Sequence, residues 1–345
     1  MLEKPDLPDE QIIGCLQDAY SVDTMQISFL PLGNDHNTGV YRVLAANSNT
    51  YFVKLRRGAF DETSVALQDW LSSQGIANII PIVATTAGQL WAQLGAFTMI
   101  VYPFINGQDG YTVAMSDQHW RDFGIALRRM HTADVPRTLT QRIQQETYSA
   151  QGRLAVLAFL EYPADAQYAD SVAQQLVAFL HAKRSAILEL VTRTERLAQI
   201  LQQQQSTYVV CHSDIHAGNL LIDPSGHLYI VDWDNPILAP KERDLMFVGG
   251  GQGFIGHTLE EEQLLFYQGY GHVEIDQVAI AYYRYERIIQ DIAVYCEQLL
   301  LTSEGGEDRS QNVRYLMSNF LPGNTIAVAY AADQSRLPPE EAGVR

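Results

Sequence analysis

Cysteine is nearly absent from this sequence. There are three in 345 residues, Cys15, Cys211 and Cys296, each isolated and none in a C-x-x-C pair. That argues against a disulfide scaffold or a zinc ribbon. Cys211 lies in the apolar run "YVVC" and reads as a small buried hydrophobe. Basic residues are also scarce: 23 Lys and Arg stand against 40 Asp and Glu, for a net charge of −17. A nucleic-acid backbone is therefore not expected as a partner, because phosphate contacts need clustered Lys and Arg. The acidity permits a cationic small-molecule substrate, and it serves solubility equally well. No apolar run is long enough to span a bilayer. The opening "MLEKPDLPDEQ" has no basic segment followed by an apolar one, so no signal peptide and no membrane are expected, and the cytoplasm is the expected location.

What is present divides in two. In the first hundred residues "QISFLPLG", "GVYRVLA", "TYFVKLR" and "AFTMIVYPF" are rich in β-branched and aromatic residues and read as strands. One helix is expected among them, near Asp61 to Gln74, with Gly75 as its stop. From Gln118 the texture changes. Trp120, Phe123, Leu127 and Met130 line one face of a helix, and residues 139–205 are rich in Ala, Leu and Gln, as a helical insert would be. Two short strands follow, "YVVCH" and "NLLI", then the turn "DPSG" and a third strand in "HLYIVDW". Beyond Glu260 the chain reads as helical to about Leu301, "SEGGEDRSQ" as an exposed loop, and the last dozen residues as a loose tail. The expected architecture is α+β and bilobal: a small β-rich lobe over 1–104 and a larger α-helical lobe over 105–345, with a cleft between them suited to a small molecule.

The stretch "CHSDIHAGN" places His212, Asp214 and His216 at alternate positions. Two histidines near a carboxylate suggest zinc, but no further His-rich segment offers ligand spacing. The turn "DPSG" supplies another reading. It pairs "NLLI" with "LYIVDW", which brings Asn219 at the start of one strand near Asp232 at the end of the other, with Asp214 just ahead. An Asn oxygen and a carboxylate form a hard, oxygen-only ligand set suited to Mg²⁺. An Asp left free of the metal can accept a proton from an attacking hydroxyl. In this reading His212 anchors the loop to nearby backbone, and His216 is a loop or substrate-side residue.

Upstream, Lys54 sits mid-strand in "YFVKLR". A strand Lys often faces solvent, but its apolar neighbours also suit a lysine that faces the cleft and pairs with nucleotide phosphates. Glu62 on the following helix is the expected acidic partner, or else a charge serving that helix's N-terminus. The polar hairpin "GNDHNTG", with Asn37 near its end, could lay backbone N–H groups over phosphates. In "YPFING" Pro103 can offer a C=O and Ile105 an N–H to an adenine edge.

These residues resemble the aminoglycoside phosphotransferase family, relatives of the protein kinases. "HSDIHAGN" matches that family's H-x-D-x-x-x-x-N loop, and "YIVDWDNP" its later strand ending in apolar-D-W/F-D/E, in order and at a matching interval. "YFVKLR", "GIALRRMHTADVP" and "KERDLMFVGGG" match further segments, so the resemblance extends over nearly the whole chain. It implies a protein-kinase-like fold and ATP-dependent transfer of phosphate to a hydroxyl with Mg²⁺. Asp214 would be the catalytic base, Asn219 and Asp232 the metal ligands. Lys54 would meet the ATP phosphates, and Pro103 and Ile105 would cradle adenine. Asp234 would support the metal Asp, Asp244 would brace the catalytic loop, and His131 would be a packed core histidine.

The expected substrate is a cationic aminocyclitol or aminoglycoside antibiotic, with spectinomycin the first candidate and resistance the consequence. A same-fold kinase for a metabolite such as choline, homoserine or a sugar derivative is the alternative. A non-catalytic nucleotide-binding protein is a third reading, weakened by Lys54, Asp214, Asn219 and Asp232 all being present. On "AYYRYERIIQDIAVYCEQ", Arg284, Arg287 and Asp291 share one helix face, with Tyr283 and Glu286 beside them. Acidic groups here, Glu286 and Asp291, would receive substrate ammonium groups and Tyr283 would pack its rings. The same pattern also fits an exposed face carrying i,i+4 ion pairs.

Overall fold

The structure is a computed structural model, and it describes residues 3–33, 37–163, 168, 170–303 and 305–335. Asn34, Asp35 and His36 of the expected phosphate hairpin and residues 336–345 of the expected tail lie outside the described residues.

The chain opens with a helix that strand-like reading of this region passes over, α1 (Asp9–Tyr20). Its signal is present in the sequence: Ile12, Leu16 and Tyr20 recur every four residues and are the buried ones. There follow β1 (Thr24–Leu30), β2 (Thr38–Ala45), β3 (Thr50–Arg57), α2 (Glu62–Ser73), β4 (Ala92–Leu94) and β5 (Phe97–Pro103). The strands form one antiparallel sheet in the order β1-β2-β3-β5-β4. Side chains alternate across it. Tyr41, Val43, Val53, Leu55, Met99 and Val101 bury one face against α1. Ile100 turns to the other face and packs with Val65 of α2 and with Ile82. Lys54 is paired with Ile100 in the ladder, so it shares that second face and is nearly buried.

The larger part begins with β6 (Gln108–Asp109), α3 (Asp117–His131), α4 (Arg137–Thr140) and β7 (Gln144–Gln145). The helical insert is α5 (Gln151–Phe159), α6 (Ser171–Ala182) and α7 (Arg184–Gln202). Then come β8 (Tyr208–Cys211), β9 (Leu220–Ile222), β10 (Leu228–Ile230), β11 (Ile237–Pro240), α8 (Glu242–Leu245), α9 (Leu259–Tyr270), α10 (Gln277–Leu300), α11 (Gly306–Ser318) and α12 (Thr325–Ser335). Helix α10 buries residues around most of its circumference, Tyr282, Tyr283, Tyr285, Ile289 and Ile292 among them, as the central helix of a bundle must. Among the described residues no helix is long and apolar enough to cross a membrane.

The expected hairpin forms. β9 and β10 are antiparallel, with Ile230 opposite Leu220, and Val231 N–H donates to Asn219 C=O at 3.0 Å. Asp223 closes the turn by accepting from Ser225 and His227, and Gly226 supplies the positive φ of 83°. The strand "YVVC" pairs elsewhere, with β11. The expected loop "SEGGEDRSQ" is instead partly helical, because α11 starts at Gly306. The reason is Arg309, whose guanidinium reaches the carbonyls of Gln298, Leu299 and Thr302 at the end of α10. These are carbonyls a helix end otherwise leaves unpaired.

Candidate active site

The loop between β8 and β9 is held from below. Asp244, fully buried on α8, accepts the backbone N–H of His212 at 2.9 Å and of Ser213 at 2.7 Å. His131 bridges Asp244 to Tyr270, with ring nitrogens 3.0 and 2.8 Å from them, as a packed core histidine. His212 Nε2–H donates to Val231 C=O, and its Nδ1 accepts from Asp214 N–H. Both ring nitrogens are thereby used, and His212 is scaffolding rather than a metal ligand. With these constraints in place Ser213 takes a φ of 72°, a left-handed conformation rare for a non-glycine residue. Past the bend, the Asp214 carboxylate meets Arg287.

Asn219 donates its side-chain N–H to Asp214 C=O at 2.8 Å, which leaves its Oδ1 as the atom able to meet a cation. Asp232, just past β10, also has a positive φ, 66°. Its Oδ1 lies 2.7 Å from Lys54 Nζ, and Asp234 Oδ1 lies 2.7 Å from the same nitrogen. The Lys54 ammonium beside Asp232 pulls its carboxyl down to about 2. Burial works to lower the Lys54 pKa, but the two carboxylates outweigh it and raise it. Arg56, two residues on and therefore on the same strand face, pairs with Asp234 at 2.7 Å.

This corrects the expectation for Glu62. Lys54 is held by Asp232 and Asp234, while Glu62 is mostly exposed at the first turn of α2 and pairs with Arg142. Glu62 is the first residue of α2, directly after the N-cap Asp61, which accepts from Thr63 N–H at 2.8 Å. Asn37 sits just before β2, its C=O accepting from Arg57 N–H. Pro103 ends β5 and Ile105 follows in the link to the larger part, both half-buried.

On the far side of Asp214 stands α10. Arg287 Nη1 donates to Asp214 Oδ1 at 2.6 Å, and Arg287 Nε lies 3.2 Å from Asp291 Oδ1. Burial works to raise the Asp214 carboxyl, but Arg287, aided by His216 and His212, holds it below the ordinary carboxylate range. Asp291 shifts the other way, raised by its burial. His216 Nδ1 accepts from Gly218 N–H and from the Tyr111 hydroxyl, each at 3.0 Å, and the Tyr111 ring stacks on it. The ring proton is thus on Nε2, 3.8 Å from Asp214 Oδ2. Burial, with the Asp291 carboxylate beside it, pushes the Tyr295 hydroxyl up, and Tyr111 and Tyr315 lie in the same neighbourhood.

Two further expectations fail. Tyr283 is fully buried among Tyr148, Tyr282 and the Arg243 guanidinium, so no substrate ring can reach it. Glu286 is buried as well, its Oε2 paired with Arg153 Nη1 at 2.9 Å. Both follow from α10 being the core of the bundle rather than a surface helix. Among the described residues, the one trio of His, Cys, Asp or Glu side chains close enough to share a metal is His131, Cys211 and Asp244. It is otherwise employed, with the Cys211 thiol kept protonated by burial.

One family model matches residues 28–266, that of the phosphotransferase enzyme family. The chain belongs to the phosphotransferase enzyme family. Among solved structures it is similar to a spectinomycin phosphotransferase in complex with ADP and spectinomycin, at 36% identity and a TM-score of 0.88, covering 96% of this chain and 99% of that one. An AMP-bound complex of a spectinomycin phosphotransferase is matched at 36% identity and a TM-score of 0.82, covering 93% and 98%. An amicoumacin kinase in complex with AMP-PNP, Ca²⁺ and Ami shares the fold at 18% identity and a TM-score of 0.60, covering 91% of this chain and 93% of that one. Among curated proteins nothing matches. The chain is therefore a phosphotransferase with the kinase-like bilobal α+β fold expected from its sequence.

Proposed function

We propose that this phosphotransferase moves the γ-phosphoryl group of ATP to a hydroxyl of a cationic aminocyclitol, with spectinomycin the first candidate and antibiotic resistance in the cytoplasm the consequence. One observation carries the reading. The cluster of Lys54, Asp232, Asp234 and Arg56 and the cluster of Asp214, Arg287 and Asp291 adjoin closely enough for Asp232 to act on the Asp214 charge. The first suits a nucleotide's phosphates. The second suits an acceptor hydroxyl flanked by positive charge. The likeness to the spectinomycin phosphotransferase supports the substrate.

The oxygen-only donor set fits a magnesium ion: Asn219 has its amide nitrogen engaged and its oxygen left over, and Asp232 stays ionised. Asn219 and Asp232 would hold it, and it would neutralise phosphate charge. Lys54 and Arg56 would contact the phosphates, with Asn37 at the mouth of the phosphate site and Pro103 and Ile105 at the adenine edge. Asp214 orients the acceptor hydroxyl. As its oxygen bonds to phosphorus, the bond to the β-phosphate oxygen breaks, ADP leaves and the hydroxyl proton passes to Asp214. Asp291 faces the incoming cation, with Tyr111, Tyr295 and Tyr315 as aromatic surface and His216 beside the hydroxyl.

The test is a panel of acceptors with Mg-ATP: spectinomycin, other aminocyclitols, aminoglycosides, choline, homoserine and sugar derivatives. Spectinomycin-dependent ADP release that disappears in Asp214→Asn supports the reading. Turnover of a metabolite alone overturns the antibiotic substrate, and full activity of Asp214→Asn overturns the role of Asp214.

A further inference from the structure

We infer that Arg287 is the residue that positions Asp214, fixing the carboxylate through Oδ1 so that Oδ2 alone is presented to the acceptor hydroxyl. The inference rests on Asp214 being the proton acceptor proposed above.

Arg287 is a poor candidate for a simple surface ion pair. It projects from α10 between Glu286 and Ile288, both buried, and its own side chain is 24% exposed. Its i,i+4 partner Asp291 takes Nε, but Nη1 crosses 73 residues of sequence to Asp214 Oδ1 at 2.6 Å. The guanidinium is thus held at both ends, a task for its planar fork that a lysine point charge cannot match. Asp291 is itself steadied by Asn319 from the segment after α11.

The other oxygen of Asp214 is treated differently. Among the described residues no other side chain hydrogen-bonds this carboxylate. His216 Nε2 faces Oδ2 at 3.8 Å, too far for a hydrogen bond. Its distance is fixed, because Nδ1 is tied to Gly218 and Tyr111. An acceptor hydroxyl that donates to Oδ2 can also lie beside His216 Nε2–H. Gly253 presses on the Tyr111 ring, where an added Cβ would come within 2.1 Å of it, so the wall behind His216 is closed.

A guanidinium on a base makes it a weaker base, which is acceptable here. In a loose phosphoryl-transfer transition state the hydroxyl keeps its proton until late, so the carboxylate works chiefly by aiming it. A fixed carboxylate then outperforms a stronger base that can rotate, because misplacement by about 1 Å costs on the order of 100-fold.

The test uses Arg287→Met, Arg287→Lys and Arg287→Ala, with Asp214→Asn in parallel. In a crystal structure of Arg287→Met the Asp214 side chain should leave its position. With Mg-ATP and spectinomycin, kcat of Arg287→Met should fall about 10- to 100-fold with KM for ATP within about twofold. Arg287→Lys should recover only part of the loss, and added guanidinium should partly rescue Arg287→Ala. An unmoved Asp214 in Arg287→Met overturns the inference even if no acceptor is turned over. So does a raised KM for spectinomycin with unchanged kcat, since Arg287 would then be a substrate contact. An active Asp214→Asn instead removes the underlying reading of the base.

Discussion

Lys54 and Asp232, 178 residues apart in the chain, meet with Nζ 2.7 Å from Oδ1. The contact ties the β3 strand of the sheet to the end of the β9–β10 hairpin, and Asp234 joins it at the same distance. Lys54→Met would leave two adjacent carboxylates without their common cation. We expect Mg-ADP affinity to weaken roughly 10- to 100-fold, the scale of one or two charge-assisted hydrogen bonds. Glu62→Gln should change it less than about twofold, because Glu62 is 56% exposed and its partner is Arg142. Calorimetric titration of the two variants separates these roles, and equal losses would restore Glu62 as the partner of Lys54.

Asp244 holds the loop between β8 and β9 from inside the core. Its two oxygens receive the His212 and Ser213 N–H groups, and Oδ2 lies 3.0 Å from His131 Nε2. Asp244→Ala would strand buried donors at about 1–3 kcal/mol each. We expect a loss of at least about 3 kcal/mol, read as a lower urea midpoint, and loss of turnover even where the protein remains folded. A variant with wild-type stability and a working Asp214 would show that the loop's shape comes from elsewhere.

The site was legible where its geometry is local. The "DPSG" turn dictates that Asn219 and Asp232 come together, and the structure pairs Val231 with Asn219. The strand period makes Arg56 a face-mate of Lys54, a signal available in "YFVKLR" but easily passed over. The pairings left unread are long-range. Nothing in the α10 sequence tells Arg287 from Arg284: the first reaches Asp214, while the second is buried against the carbonyls of Met246, Val248 and Gly249. The helix pattern itself misleads, because a core helix carries polar residues on faces that would be solvent-exposed on a surface helix, and Glu286 is one of them. In the fold, the strand-rich composition that follows α1 hides it, although its buried residues recur at helical spacing.

Glu286 and Asp291 should therefore differ in what they break. Glu286→Gln removes a buried partner of Arg153, which keeps Glu195 at 2.9 Å and Tyr148 C=O. We expect a stability loss of about 2–3 kcal/mol with the acceptor KM unchanged. Asp291→Asn should lose little stability and raise that KM. Thermal melts and steady-state kinetics on both variants decide it, and the opposite assignment would return Glu286 to the substrate face.

Glu262 makes stability depend on pH around neutrality. It is buried on α9, where Oε2 accepts Gly249 N–H at 3.0 Å. Burial pushes its carboxyl up to about 7, against the lowering effects of that N–H, His257 and Arg284. In the unfolded chain a glutamate titrates near about 4.3. A raised acid is favoured protonated in the folded state, so its contribution is intact below about 4.3 and is lost as pH rises toward 7. Glu262→Gln keeps an acceptor for Gly249 and removes the charge. It should stabilise the protein, little at pH 4 and by at most about 4 kcal/mol at pH 8. The difference in melting temperature between variant and wild type, measured at intervals from pH 4 to 8, should grow from about pH 4.3 to about pH 7 and level off above it. A constant difference would mean that Glu262 titrates alike in both states, and that the Gly249 contact compensates fully for its burial.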